Sequence, residues 1–172
     1  MAVSTDILAT WARPRKVFRQ ILDRSRGEGQ ALAYLLAACL LIFVAQWPRL
    51  AREAHFARQT AEAAGTPPDQ VPGLQALIGI NMFALLFMAP LIFYALAGLA
   101  HLVARALGGT GTALASRLAL FWALLATAPW MLFQGLVSGF IGAGPTLTAT
   151  GVVVALAFLG LWLTLMREAH RA

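Results

Sequence analysis

Residues 98–130, GLAHLVARALGGTGTALASRLALFWALLATAPW, join two apolar segments through a short glycine turn and decide how the rest of the chain is arranged. The first segment ends on Arg105-Ala106-Leu107. Gly108 and Gly109 then supply the left-handed C-terminal cap that glycine adopts without steric cost, and Thr110 or Thr112 caps the segment that follows. So tight a turn makes an antiparallel helical hairpin. Arg105 and Arg117 flank it, which marks the turn as one edge of a membrane.

Outward from this hairpin the chain remains apolar. It has 172 residues, of which 60% are hydrophobic and only 12% charged, and its mean hydropathy is +0.74. Soluble domains are about half apolar and a quarter charged, so lipid is the solvent for most of this surface. Four runs approach the ~20 residues needed to cross a bilayer: Ala31–Trp47, Leu74–Leu107, Ala113–Ile141 and Leu147–Met166. Pro48 is expected to stop the first. Residues 49–73 then form the largest extramembrane loop, helical in composition to Ala64 and proline-rich in GTPPDQVPG. Pro90 interrupts the second run without a polar neighbour, so that run is one long kinked helix and not two half-spans. The fold class is therefore all-α, a polytopic membrane bundle of about four transmembrane helices.

Residues 1–29 form a basic arm, residues 30–166 the bundle and residues 167–172 a short tail. Within the arm Pro14 suits the first position of a helix. Val17, Phe18, Ile21 and Leu22 share one face and Arg15, Lys16, Arg19 and Asp23 the other. This is the pattern of an amphipathic interfacial helix, with Trp11 at headgroup level before it. Trp11, Arg15, Lys16, Phe18, Arg19, Arg105 and Arg117 are the candidate contacts to anionic lipid headgroups or to a partner, each cation contributing ~1 kcal/mol near an anionic surface. A nucleic acid is not expected, because a basic flank beside a span is what membrane topology already requires. The basic region is followed by a segment too long for a signal peptide's apolar core, so the first span is expected to stay.

Of the thirteen basic residues, ten fall on the side of the glycine turn and the two termini; Arg49, Arg52 and Arg58 fall on the other. The positive-inside rule puts both termini in the cytoplasm. An Ala/Leu/Arg-rich composition points to a bacterial inner membrane. Trp122 and Trp162 suit the cytoplasmic aromatic belt and Trp47 the outer one.

No catalytic, cofactor or metal site is expected. Cys39 lies mid-run as a small hydrophobe, and His55, His101 and His170 are scattered over a loop, a span end and the tail. GGTG lacks the lysine and length of a phosphate loop. Asn81, His101, Gln134 and Ser138 are the candidate intramembrane polar contacts, better suited to interhelical hydrogen bonds than to a substrate. Tyr94, Gly98, His101 and Arg105 share one helix face, where His101 can bond a neighbouring helix and Arg105 can snorkel. Gly135 and Gly139 form a G-x-x-x-G pair that permits close helix approach.

Three segments in order carry a resemblance: Trp11, Pro14 and Phe18 in a W-x-x-P-x-x-x-F-like opening, then His101, Arg105, Gly108 and Gly109 in HLVARALGG, then Pro129 in ATAPW. The pattern resembles the Yip domain family of Ypt/Rab-interacting membrane proteins, in particular its short bacterial members, over about residues 11–165. The resemblance implies a helical integral membrane domain without catalysis. Family members are usually described with five spans, and this chain is expected to be a short form with four. Eukaryotic relatives bind Rab GTPases, a role that does not carry over to a bacterium. The expected function is a non-enzymatic membrane scaffold or accessory subunit, contacting anionic lipid, a membrane protein partner or a second copy. The alternative is a small oligomeric transporter or channel subunit.

Overall fold

The computed structural model describes residues 3–65, 67 and 70–171, all helix and connecting turns. Thr66, Pro68 and Asp69 of the expected proline-rich linker lie outside the described residues, as do Met1, Ala2 and Ala172. The helices are α1 (Val3–Ala12), α2 (Pro14–Asp23), α3 (Glu28–Ala63), α4 (Leu74–Phe83), a π turn (Ala84–Met88), α5 (Ala89–Ala106), α6 (Ala113–Phe140) and α7 (Pro145–Ala169). Among the described residues four spans are long and apolar enough to cross a membrane: Glu28–Ala63, Leu74–Ala106, Ala113–Phe140 and Pro145–Ala169.

The glycine turn has the geometry its sequence dictates. Gly108 takes φ +87°. The N–H of Gly109 bonds the Ala104 carbonyl at 2.9 Å and that of Gly108 the Arg105 carbonyl at 3.0 Å, the paired bonds of a Schellman cap. Thr112 opens α6 by accepting the Ala115 N–H at 3.1 Å. Pro90 is accommodated by the π turn before it: the Ala89 N–H reaches back five residues to the Ala84 carbonyl, which shifts the hydrogen-bond register where proline withdraws a donor.

Pro48 does not end the first span. Helix α3 runs through it for 36 residues, about 54 Å at 1.5 Å per residue, so its last turns project beyond a ~30 Å hydrocarbon core. The Arg49–Glu53 pair at 2.7 Å and the helix-forming residues after it sustain the extension. Proline costs a membrane helix one hydrogen bond, and packing against a neighbour holds the rest in line.

That neighbour is α6. The two helices run parallel, because Glu28 meets Arg117, Tyr34 meets Trp122, and Arg52 meets Phe140 in ascending order. Between these points Gly135 lies against the Ala45 carbonyl and Gly139 against the Pro48 ring, so closely that a Cβ at either position would collide. From Ala115 to Ala128 nearly every residue of α6 is buried, with α5 and α7 on its other sides. The N-terminal arm completes the enclosure. Helix α1, which the sequence pattern did not predict, joins α2 in a hairpin packed on α6 and α7.

The amphipathic face of α2 is therefore as expected but its partner is not. Val17, Phe18 and Ile21 are buried in the common core, Phe18 completely, so Phe18 touches protein and not lipid. Trp122 is 1% exposed and belongs to the core as well, not to an aromatic belt. Gly135→Leu and Gly139→Leu are each expected to destabilise the fold by about 1–3 kcal/mol through overpacking. Gly98→Ala and Gly160→Ala, where a Cβ meets nothing within 4 Å, are expected to leave the detergent melting temperature unchanged or slightly higher.

Candidate functional site

The ends of α5, α6 and α7 beside the glycine turn converge on Ser116. Its Oγ lies 3.2 Å from His101 Nδ1 and 2.9 Å from His170 Nε2, and the two imidazoles sit 5.6 Å apart. The Gly111 N–H bonds His170 Nδ1 at 3.2 Å. A Cβ on Gly109 or Gly111 would strike the His170 ring or the Ala169 carbonyl, so the glycine turn closes over the histidine only because it lacks side chains there.

The hydrogen bonds assign the tautomer. A backbone N–H can only donate, so His170 Nδ1 accepts and the neutral ring carries its proton on Nε2, which donates to Ser116. Ser116 gives its own proton to the Thr112 carbonyl at 3.3 Å or to His101 Nδ1. His170 therefore cannot take the serine proton, and the contact lacks the direction a nucleophile and its base require. Burial lowers the His170 pKa from its ordinary 6.5, and the nearby His101 and Arg105 lower it further. Protonation would also place a second donor against the Gly111 N–H.

Charge is distributed over two kinds of site on this side. Arg19 pairs with Glu168, which is buried and also lies 3.5 Å from Arg171. Arg117 pairs with Glu28 and stands 5.7 Å over the Tyr94 ring. Arg24 is 3.7 Å from the buried Asp6. Arg13, Arg15, Lys16, Arg105 and Arg167 are exposed and make no ion pair among the described residues.

Trp11 is deeper than a headgroup position. Its indole N–H donates to the Ala126 carbonyl at 3.2 Å, and its ring meets Trp130 edge-on at 6.0 Å. Ala126 lies nine residues beyond Arg117, about 13 Å along the helix. Pro129 lacks the N–H that would serve the Leu125 carbonyl, and its ring loosens the same turn. Trp11 thus binds α6 where its own ladder is weakest. One residue earlier, Thr10 Oγ1 accepts from the buried Trp122 indole at 3.0 Å and donates to the Asp6 carbonyl at 2.7 Å.

Among the described residues, none of Asn81, Gln134 and Ser138 makes the expected interhelical hydrogen bond. Gln134 and Ser138 instead line a cleft of about 270 Å³ with Gln46 and Arg49. Beside it Arg52 donates to the Gly139 and Phe140 carbonyls at 3.1 and 3.2 Å, a cation on the C-terminus of α6.

A family model for the Yip1 domain matches residues 8–172, nearly the whole chain. The chain belongs to the Yip1 domain family. No curated protein and no solved structure matches it. The residues that carry the Yip1 likeness are far apart in sequence but gather along α6: Trp11 beside Pro129, Phe18 in the core, His101 on Ser116, and Gly108 and Gly109 in the turn that opens the helix. Sequence reasoning missed Ser116, His170, Glu168 and Arg52 as partners. A signal was present for His170 only in the second glycine pair position, Gly111, which marks a close approach without saying to what.

Because the folded state holds His170 neutral, the unfolded state binds the extra proton, and this part of the stability is present above pH 6.5 and lost as pH falls through the lowered value. The detergent melting temperature is expected to drop between about pH 7 and pH 5, and His170→Gln is expected to make that drop shallower; an identical pH profile in the variant contradicts the assignment.

Proposed function

We propose that this Yip1-family protein is a non-enzymatic scaffold or accessory subunit of a bacterial inner membrane, with both termini cytoplasmic, that engages anionic lipid and a membrane partner through its basic cytoplasmic face. The observation that carries this reading is the N-terminal hairpin. Its apolar side is committed to the bundle, while Arg13, Arg15 and Lys16 at and after its turn are exposed and unpaired. A hairpin seated this way presents cations from a rigid support. Each cation that reaches an anionic leaflet is worth ~1 kcal/mol.

Ser116 is fully buried beneath the glycine turn and its histidines, which supports the non-enzymatic part of the reading. A second reading, a small oligomeric transporter or channel subunit, draws on the outward cleft with its unbonded Gln134 and Ser138. The cleft and the histidine cluster lie at opposite ends of α6, and the packed stretch Ala115–Ala128 separates them.

Full-length protein extracted in polymer nanodiscs from vesicles of mixed phosphatidylglycerol and phosphatidylcholine is expected to carry an excess of phosphatidylglycerol over the bulk ratio. The double variant Arg15→Glu/Lys16→Glu is expected to lose most of that excess. An unchanged ratio removes the proposed lipid contact, and substrate flux abolished by Gln134→Ala would favour transport.

A further inference from the structure

We propose that the groove between α5 and α7 binds one anionic phospholipid of the cytoplasmic leaflet, one acyl chain lying in the groove and the phosphate held by Arg167 and Arg171. This deepens the lipid-contacting reading above and rests on its membrane orientation.

The groove exists because α5 and α7 both pack on α6 but not on each other. It encloses about 650 Å³, walled by Leu99, Val103 and Leu107 on one side and Trp162, Leu163 and Met166 on the other. Its lining runs from Leu96 to Leu107 along α5, about 16 Å at 1.5 Å per residue, which matches one leaflet of a ~30 Å hydrocarbon core. An apolar slot of that depth has the length of a single chain of one leaflet, and water does not fill it.

The cytoplasmic end of the groove is different in kind. Arg167 and Arg171 line it together with His170. Arg167 is exposed without an ion pair, and Arg171 is still half exposed beside Glu168. Trp162 walls the groove on the α7 side, about a turn and a half before Arg167, and an aromatic ring suits the interfacial level of a lipid's glycerol esters. Two arginines at the rim, with Arg105 nearby, favour a headgroup of net negative charge over one whose own cation would face them. A chain-length apolar slot capped by a rim of guanidinium groups forms one phospholipid-shaped site.

The test uses the full-length protein in nanodiscs of equal phosphatidylglycerol and phosphatidylcholine with matched chains, released into the gas phase for native mass spectrometry. One retained phosphatidylglycerol per chain is expected. Arg167→Gln/Arg171→Gln, which alters exposed side chains only, should weaken retention about tenfold, and Val103→Trp should abolish it by filling the slot. Arg15→Glu/Lys16→Glu should leave this tightly held lipid in place. Equal retention of phosphatidylcholine, retention indifferent to both groove variants, or a second copy of the chain in place of lipid overturns the site. No bulk phosphatidylglycerol excess around the unmutated protein, or an excess that Arg15→Glu/Lys16→Glu leaves unchanged, with the retained lipid intact, would instead fail the broader reading and leave the groove standing.

Discussion

The packing of other helices against the stretch Ala115–Ala128 of α6 is the constraint on which the rest of the structure depends. In lipid there is no hydrophobic force between helices, so they associate through close van der Waals contact and the few hydrogen bonds they can share. Closeness needs small residues. Here alanines are spread along the buried face of α6, and farther along Gly135 and Gly139 let the α3 backbone come to contact at Ala45 and Pro48. The N-terminal hairpin closes the remaining side with Val17, Phe18 and Ile21.

Polar groups are satisfied at the weak points of this arrangement. Proline opens helices at Pro48, Pro90 and Pro129, and each opening has a distinct local remedy. Neighbour packing holds α3 at Pro48, a π turn absorbs Pro90, and beside Pro129 the Trp11 indole donates to the Ala126 carbonyl. The ends of α6 are treated the same way, with Thr112 capping its start and Arg52 its last carbonyls. At the end of the bundle beside the glycine turn three helices share the hydrogen bonds of Ser116. A bundle sealed in this manner keeps its unpaired cations on the outside.

How legible each part was depends on how local its cause is. The glycine cap, the Thr112 cap and the single kinked span across Pro90 follow from residues within a few positions of one another, and they could be read from the chain. The amphipathic face of α2 was legible too, but amphipathicity says only that a face is buried. Whether lipid or protein buries it depends on the contact between Phe18 and a core assembled over a hundred residues later. Pro48 misled because proline ends helices in water, whereas in a bundle the neighbouring Gly139 supports the continuing backbone. The histidine cluster was hidden by separation: His170 stands in the tail and Ser116 more than fifty residues before it, joined by the return of α7. Helix α1 buries Asp6 and Thr10 and leaves Val3, Leu8 and Trp11 exposed, the reverse of what its apolar residues suggest, and Thr10 and Trp11 reveal their role only against Trp122 and Ala126.

The enclosure of α6 by the N-terminal hairpin is most directly measured by tryptophan fluorescence in bilayers with brominated acyl chains, using two single-tryptophan variants. One retains Trp122, which is 1% exposed, and the other Trp130, which is half exposed. The structure predicts strong quenching of Trp130 and little of Trp122. Comparable quenching of both would mean that lipid reaches the face of α6 that α1 and α2 are held to cover.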